Sequence, residues 1–206
     1  MPFGARIGVK EVFMKDSFAV DYGPIDFPHY MGVSVYMLPH VKGEQYPEGF
    51  GVWGDFIDKM THMVPHTGLP MYITIQQSLV KAGNHQRKPG PHVDGYWIPG
   101  IEGDIIHSGG FGGPGQPHHP DEAIIIASNV LGTKYWDGQW DGERKLHGDC
   151  SHIDLSGMEE KIASPGRIWA GHTDQFIHES IESERAELRT FVRVNAPGWV
   201  PSRDGQ

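Results

Sequence analysis

Three residues that can bind a metal stand in two separate parts of the chain. His92 and Asp94 lie in the segment PGPHVDGYW, and His178 lies in GHTDQFIHES, ahead of the arginine-bearing segment LRTFVRV. Two imidazoles and one carboxylate on one face of a divalent metal leave its other positions open, which suits non-haem Fe(II) that binds a co-substrate and oxygen. If these side chains converge, the sequence predicts an oxygen-activating metal centre.

The His-x-Asp spacing recurs in this histidine-rich chain, so the tripeptide alone does not identify the ligands. Other pairs with this spacing are His152 with Asp154 and His172 with Asp174. Residues two apart on a strand point to the same face, so either member of a pair can face a barrel interior. The third ligand must come from a strand that crosses the barrel later, and Asp94 leaves enough chain before His178 for several intervening strands. Position in the chain therefore favours His92 and Asp94.

Composition favours a β-rich protein and disfavours nucleic acid as a partner. The 206 residues include 28 Gly and 16 Pro, which favour many turns and short strands. The net charge of −9 argues against a broad nucleic-acid surface, because backbone phosphates require clustered Lys and Arg. The single cysteine, Cys150, cannot form an intramolecular disulfide, and we expect it to be a buried, unreactive thiol.

No segment of the sequence is typical of membrane insertion or export. The N-terminal residues lack a charged region followed by an apolar core, and no apolar run approaches 18 residues. We therefore expect a cytoplasmic protein without a membrane partner. The sequence leaves the oligomeric state open.

The elements that must position these residues are mostly strands. One good helix is predicted near 50–63, where Trp53, Phe56, Ile57 and Met60 recur at helical spacing. Strands are predicted at 71–80, 92–98, 122–130, 132–138, 167–171 and 188–196. The sequence thus predicts a mainly β fold with supporting helices, specifically a double-stranded β-helix (jelly roll). We expect one domain over 1–206, with an N-terminal supporting region at 1–70 and the jelly-roll core at 71–196.

The sequence also predicts the structure of two kinds of connection between strands. The Asp-Gly pairs at 137–138 and 141–142 are typical of hairpin turns. The segment 106–123 is rich in Gly, Pro and His and has no periodicity, which is typical either of an active-site lid or of local disorder.

The order of these segments resembles that of the Fe(II)/2-oxoglutarate-dependent dioxygenases, a family of the cupin-like superfamily. His92-Val93-Asp94 is followed by AIIIASNVLGTKYWDG, then by SPGRIWAGHTDQFIHES and LRTFVRV. In that family a His-x-Asp lies on an early barrel strand, a distal His follows several strands later, and an Arg or Lys comes about ten residues after it. The resemblance covers roughly residues 71–196 and rests on order and spacing.

The resemblance implies a cofactor, a co-substrate and a reaction. His92, Asp94 and His178 would hold Fe(II), which 2-oxoglutarate chelates while one position remains for O2. Oxidative decarboxylation would release succinate and CO2, and an unidentified substrate would be hydroxylated. Because Asp94 stands where halogenating relatives carry a small residue, the resemblance favours hydroxylation.

The resemblance also implies contacts to 2-oxoglutarate. Arg189 follows His178 by eleven residues and would bind the C5 carboxylate, with Arg193 on the same strand face as the second candidate. Tyr72 and Gln76 alternate on one face of the strand before the site and are further candidates. Arg87, just before His92, either attracts an anionic substrate or stays solvated.

Two other classes of protein fit the same residues. A cupin-like metalloenzyme that needs no keto acid would keep the metal ligands but leave Arg189 without a role. A non-catalytic jelly-roll module for binding or assembly would bind metal weakly or not at all. The substrate cannot be derived from the sequence.

Overall fold

The described part of the chain folds into two antiparallel sheets and one α-helix. The computed structural model describes residues 14–94, 119 and 121–204. Within them the elements are β1 (Lys15–Ser17), β2 (Val20–Pro24), β3 (Ser34–Val41), α1 (Val52–Met60), β4 (Pro70–Val80), β5 (Glu122–Ser128), β6 (Thr133–Trp140), β7 (Glu159–Ile162), β8 (Arg167–His172), β9 (His178–Ser180) and β10 (Glu187–Pro197).

The sheets are arranged as a jelly roll. The larger has the strand order β2-β8-β5-β10-β4-β3, and the smaller has β1-β6-β7, with β9 also paired to β6. Ile124, Ile126 and Phe191 from the larger sheet pack in one buried cluster with Tyr135 from the smaller sheet. This cluster holds the two sheets face to face, and the mainly β, jelly-roll prediction is confirmed.

A second core lies on the outer face of the larger sheet, under α1. The helix buries Trp53, Phe56, Ile57 and Met60, the positions whose spacing predicts a helix near 50–63. Along β5 the side chains alternate, so that Ala123, Ile125 and Ala127 face the helix while Ile124 and Ile126 face the interior. Helix packing therefore stiffens the sheet whose other face lines the interior.

Residues before 70 contribute to both sheets. β2 and β3 form the two edges of the larger sheet, and β1 pairs with β6 in the smaller one.

Among the described residues no helix is long and apolar enough to cross a membrane. Most of the segment predicted as a lid or a disordered loop, 106–123, lies outside the described residues.

Two local predictions are wrong. Asp137 and Gly138 are not a turn but lie inside β6, where Gly138 pairs with Ser17 of β1 and leaves room for Met158. Residues 92–94 do not start a regular strand, because His92 pairs only through isolated bridges to Asp149 and His178. The rest of the predicted strand, 95–98, lies outside the described residues.

Candidate metal centre

The fold brings His92, Asp94 and His178 together. One ligand atom from each lies within 4.8 Å of the others, which makes them the single such group of metal-binding side chains in the described part of the chain. They meet where the first residue of β9, His178, pairs with His92 through an isolated bridge. Whether they bind a metal stays a prediction that this geometry permits.

Backbone hydrogen bonds fix the positions of all three residues. The His92 N–H donates to the His178 carbonyl (3.0 Å), and the His178 N–H donates back to the His92 carbonyl (2.9 Å). The Asp94 N–H donates to the Thr173 carbonyl (3.1 Å). The three Cα positions are therefore set by the fold itself.

Both imidazoles are oriented by carbonyl groups. His92 Nδ1 lies 2.7 Å from the Gly90 carbonyl oxygen, and His178 Nδ1 lies 3.0 Å from that of Phe176. A carbonyl oxygen only accepts, so each Nδ1 carries the proton and each Nε2 keeps its lone pair. This is the tautomer that a metal ligand needs, held by a carbonyl hydrogen bond of the kind that orients metal-bound histidines.

The charge states also suit a cation. Burial lowers the pKa of His92 to about 4 and lowers that of His178, so both imidazoles are neutral at pH 7. Burial alone would raise the pKa of Asp94, but the guanidinium of Arg193, 2.7 Å from Asp94 Oδ2, holds it well below its usual range. Neutral imidazoles and an ionised carboxylate are the forms that bind metals, and this donor set fits Fe(II).

A cavity of about 450 Å³ opens beside the three residues. Its wall combines apolar Ile126 and Phe191 with the hydroxyl of Thr133 and the guanidiniums of Arg87 and Arg193. Such a space can hold a small organic anion next to a metal.

The arginines of β10 differ in what they contact. Arg189, Phe191 and Arg193 alternate with outward-facing residues, as the sequence predicts. Arg193 lines the cavity and pairs with Asp94. Arg189 is 2 % exposed and does not line the cavity; its Nε donates to Ser128 Oγ (3.2 Å), and its guanidinium lies against Gly132. A role for either arginine in binding 2-oxoglutarate stays a prediction.

Tyr72 and Gln76 lie on the inner face of β4, where they pair with Asn195 and Phe191 of β10. Neither lines the cavity, although the Gln76 side-chain oxygen accepts a hydrogen bond from Arg87 Nη1 (3.3 Å). Their contact with a co-substrate also stays a prediction.

Other candidate residues lie outside this centre. His172 pairs with Asp174, its Nδ1 2.8 Å from a carboxylate oxygen. His152 is exposed and its Nε2 lies 2.9 Å from the Glu143 carbonyl oxygen. Cys150 is fully buried, and burial raises the pKa of its thiol to about 11, which makes it a poor nucleophile.

Comparison with known proteins gives similarity to solved structures alone. No protein-family model and no curated protein matches the sequence. EvdMO1 is 12% identical, with 89% of this chain and 48% of that chain covered and a TM-score of 0.43. This chain thus spans about half the length of EvdMO1.

Two further structures are similar at the same level. AviO1 from Streptomyces viridochromogenes Tue57 is 12% identical over 91% of this chain and 93% of that chain, with a TM-score of 0.40. An N-substituted L-amino acid dioxygenase from Burkholderia ambifaria AMMD was solved in complex with α-ketoglutarate. It is 13% identical over 77% of this chain and 67% of that chain, with a TM-score of 0.35. Similarity this distant assigns no activity, so a functional conclusion must come from the site.

Proposed function

We propose that this protein is an Fe(II)- and 2-oxoglutarate-dependent oxygenase that hydroxylates an organic substrate. The observation that carries the proposal is the convergence of His92, Asp94 and His178 beside a cavity lined by guanidiniums. The donor set leaves coordination positions open, and the cavity offers positive charge to an anionic co-substrate.

Each residue has a defined task in this proposal. His92, Asp94 and His178 would hold Fe(II), and Arg193 keeps the Asp94 carboxylate ionised and in place. Bound iron would supply O2 activation coupled to decarboxylation of 2-oxoglutarate to succinate and CO2. Phe191 and Ile126 give the cavity an apolar wall that limits water beside the reacting groups.

The first test is anaerobic addition of Fe(II) and then 2-oxoglutarate, followed by visible spectroscopy. A metal-to-ligand charge-transfer band is expected from the wild type, because the band requires iron chelated by the keto acid. Asp94→Ala, which removes the charged ligand, is expected to lose it. His172→Ala, at a histidine outside the centre, is the matched control and is expected to keep it.

The other outcomes each contradict the proposal in a distinct way. Tight metal binding without the band would point to a cupin-like metalloenzyme that uses no keto acid. Absence of metal binding would point to a non-catalytic jelly-roll module.

A further inference from the structure

Arg87 is a half-buried cation in the wall of the cavity. Its Cζ lies 5.4 Å from the centre of the Phe191 ring, and the ring in turn lies 5.7 Å from Arg189 Cζ. Arg87 lines the cavity, whereas Arg189 does not. Arg87 therefore presents its guanidinium to whatever binds beside the metal ligands.

The segment before His92 holds Arg87 in place from several directions. Its backbone N–H donates to Ser180 Oγ (3.4 Å), and its Nη1 donates to Gln76 Oε1 (3.3 Å). On the preceding residues, His85 Nδ1 lies 2.7 Å from the Ser180 carbonyl oxygen, and Gln86 Nε2 donates to Ser78 Oγ (2.9 Å). These contacts tie the segment to β9 and β4, so Arg87 is positioned before any ligand arrives.

Positive charge is in excess around Arg87. Within the described part of the chain, no carboxylate lies within ion-pair distance of it, and the nearby Asp94 is already paired with Arg193. Burial first, and then the charge of Arg193, lower the pKa of Arg87, yet a guanidinium stays protonated at pH 7. A half-buried guanidinium without a counter-charge is partly desolvated, which is unfavourable, and a metal ion at the centre would add to the excess of positive charge.

Arg87 also shares the cavity with the proposed metal ligands. His92, Asp94 and His178 line it together with Arg87, whereas Arg189 does not. Thr133 lines the same cavity and offers a hydroxyl to an anion.

We propose that Arg87 receives the distal carboxylate of 2-oxoglutarate, with Thr133 as a second donor. This assignment rests on the proposed function and deepens it. The planar guanidinium can donate two parallel hydrogen bonds to a carboxylate, which neutralises its charge and selects a dicarboxylate over a monocarboxylate.

The test compares two keto acids that differ in this carboxylate. The affinities of Fe(II)-loaded protein for 2-oxoglutarate and for 2-oxopentanoate are measured anaerobically by calorimetry and by the charge-transfer band. The wild type is expected to prefer 2-oxoglutarate. Arg87→Gln is expected to weaken 2-oxoglutarate binding by about 10- to 100-fold, the range of a lost charged hydrogen bond, with 2-oxopentanoate binding nearly unchanged. Arg87→Lys, which keeps the charge but not the planar fork, is expected to fall between.

Arg189→Gln is the matched control, and it should keep the preference of the wild type. The proposal is overturned if Arg87→Gln still prefers 2-oxoglutarate as the wild type does, or if Arg189→Gln removes the preference. The Fe(II) affinity of each variant is also measured without a keto acid. An affinity like that of the wild type shows that the metal centre is still formed. Wild-type protein that binds neither keto acid would instead overturn the proposed function itself, so the two failures are distinguishable.

Discussion

At the scale of single residues, the position of Arg189 depends on the absence of a side chain at residue 132. A Cβ built on Gly132 would lie 2.0 Å from Arg189 Nη2 and 2.1 Å from its Cζ. We expect Gly132→Ala to lower the free energy of unfolding by about 1–3 kcal/mol, because a buried guanidinium must move to admit the methyl group. Chemical denaturation measures this loss.

Two variants isolate the cause. Gly157→Ala is the matched control, because nothing lies within 4 Å of a Cβ there, and we expect little change in stability. In an Arg189→Ala background the cost of Gly132→Ala should largely disappear, since the clashing group is gone. A cost that persists in that background would contradict the explanation.

At the residue scale the sequence could predict which side chains converge, but it could not predict their surroundings. His92, Asp94 and His178 could be proposed because strand geometry and chain length limit which pairs can meet. The position of Arg87 could not, because it depends on hydrogen bonds to Ser180 and Gln76, which come from other strands. Spacing alone also could not show that Arg189 lies outside the cavity.

At the scale of elements, the short strand β1 pairs with β6 and is also held by one buried hydroxyl. Ser17 Oγ donates to the Trp136 carbonyl (2.6 Å) and accepts from the Ile177 N–H (2.9 Å), one residue before His178. Ser17→Ala would leave the buried Ile177 N–H unpaired, so we expect a loss of about 1–3 kcal/mol of stability in urea unfolding. Ser34→Ala, at an exposed position of β3, is the control and should be nearly neutral; equal losses would contradict this role for Ser17.

The first residue of β5, Glu122, should make the stability of the fold depend on pH. Glu122 is 1 % exposed, and burial raises its pKa to about 8. Between about pH 4.5 and pH 8 the folded state therefore binds a proton that the unfolded state has released, so stability falls as the pH rises through this range. Glu122→Gln cannot ionise, and we expect its stability relative to wild type to rise by about 2–4 kcal/mol from pH 5 to pH 8.

Denaturation curves at both pH values measure this difference. A difference between Glu122→Gln and wild type that stays constant with pH would show that the Glu122 carboxyl does not titrate in this range. Glu44→Gln, at an exposed position, is the control and should track the wild type.

Strands could be predicted where the sequence pattern reflects burial. The prediction failed where pairing with a distant strand decides whether residues form a strand or a turn. β5 reads as a strand because its run of Ala and Ile is buried on both faces. The Asp137-Gly138 pair is typical of a turn, yet β1 arrives from the distant N-terminal part of the chain and extends the sheet across it. No local signal carries that long-range pairing.

At the scale of the whole molecule, metal binding should stabilise the fold. A ligand that binds only the folded state raises the free energy of unfolding, by about 2.7 kcal/mol at a hundredfold excess over its Kd. We expect Fe(II), added anaerobically, to raise the Tm of the wild type and to leave Asp94→Ala unchanged. Equal shifts in both proteins would show that the ion binds elsewhere.

The architecture as a whole was accessible from the sequence because short strands with Gly-rich connections have few closed arrangements. The way in which residues before 70 supply strands to both sheets was harder to predict. The edge strands β2 and β3 are short or partly exposed, and their register shifts mark irregular pairing that composition does not encode.

The reciprocal hydrogen bonds between His92 and His178 have a consequence for how the protein folds. One partner precedes β5 and the other follows β8, so this bridge closes a loop whose described residues include the four strands β5 to β8. Contacts between such distant segments form slowly, since the entropy of loop closure opposes them until the intervening chain is ordered. In a nascent or refolding chain, His92, Asp94 and His178 would thus come together late, after both sheets have assembled, and a truncated chain that stops before β9 would lack this cluster.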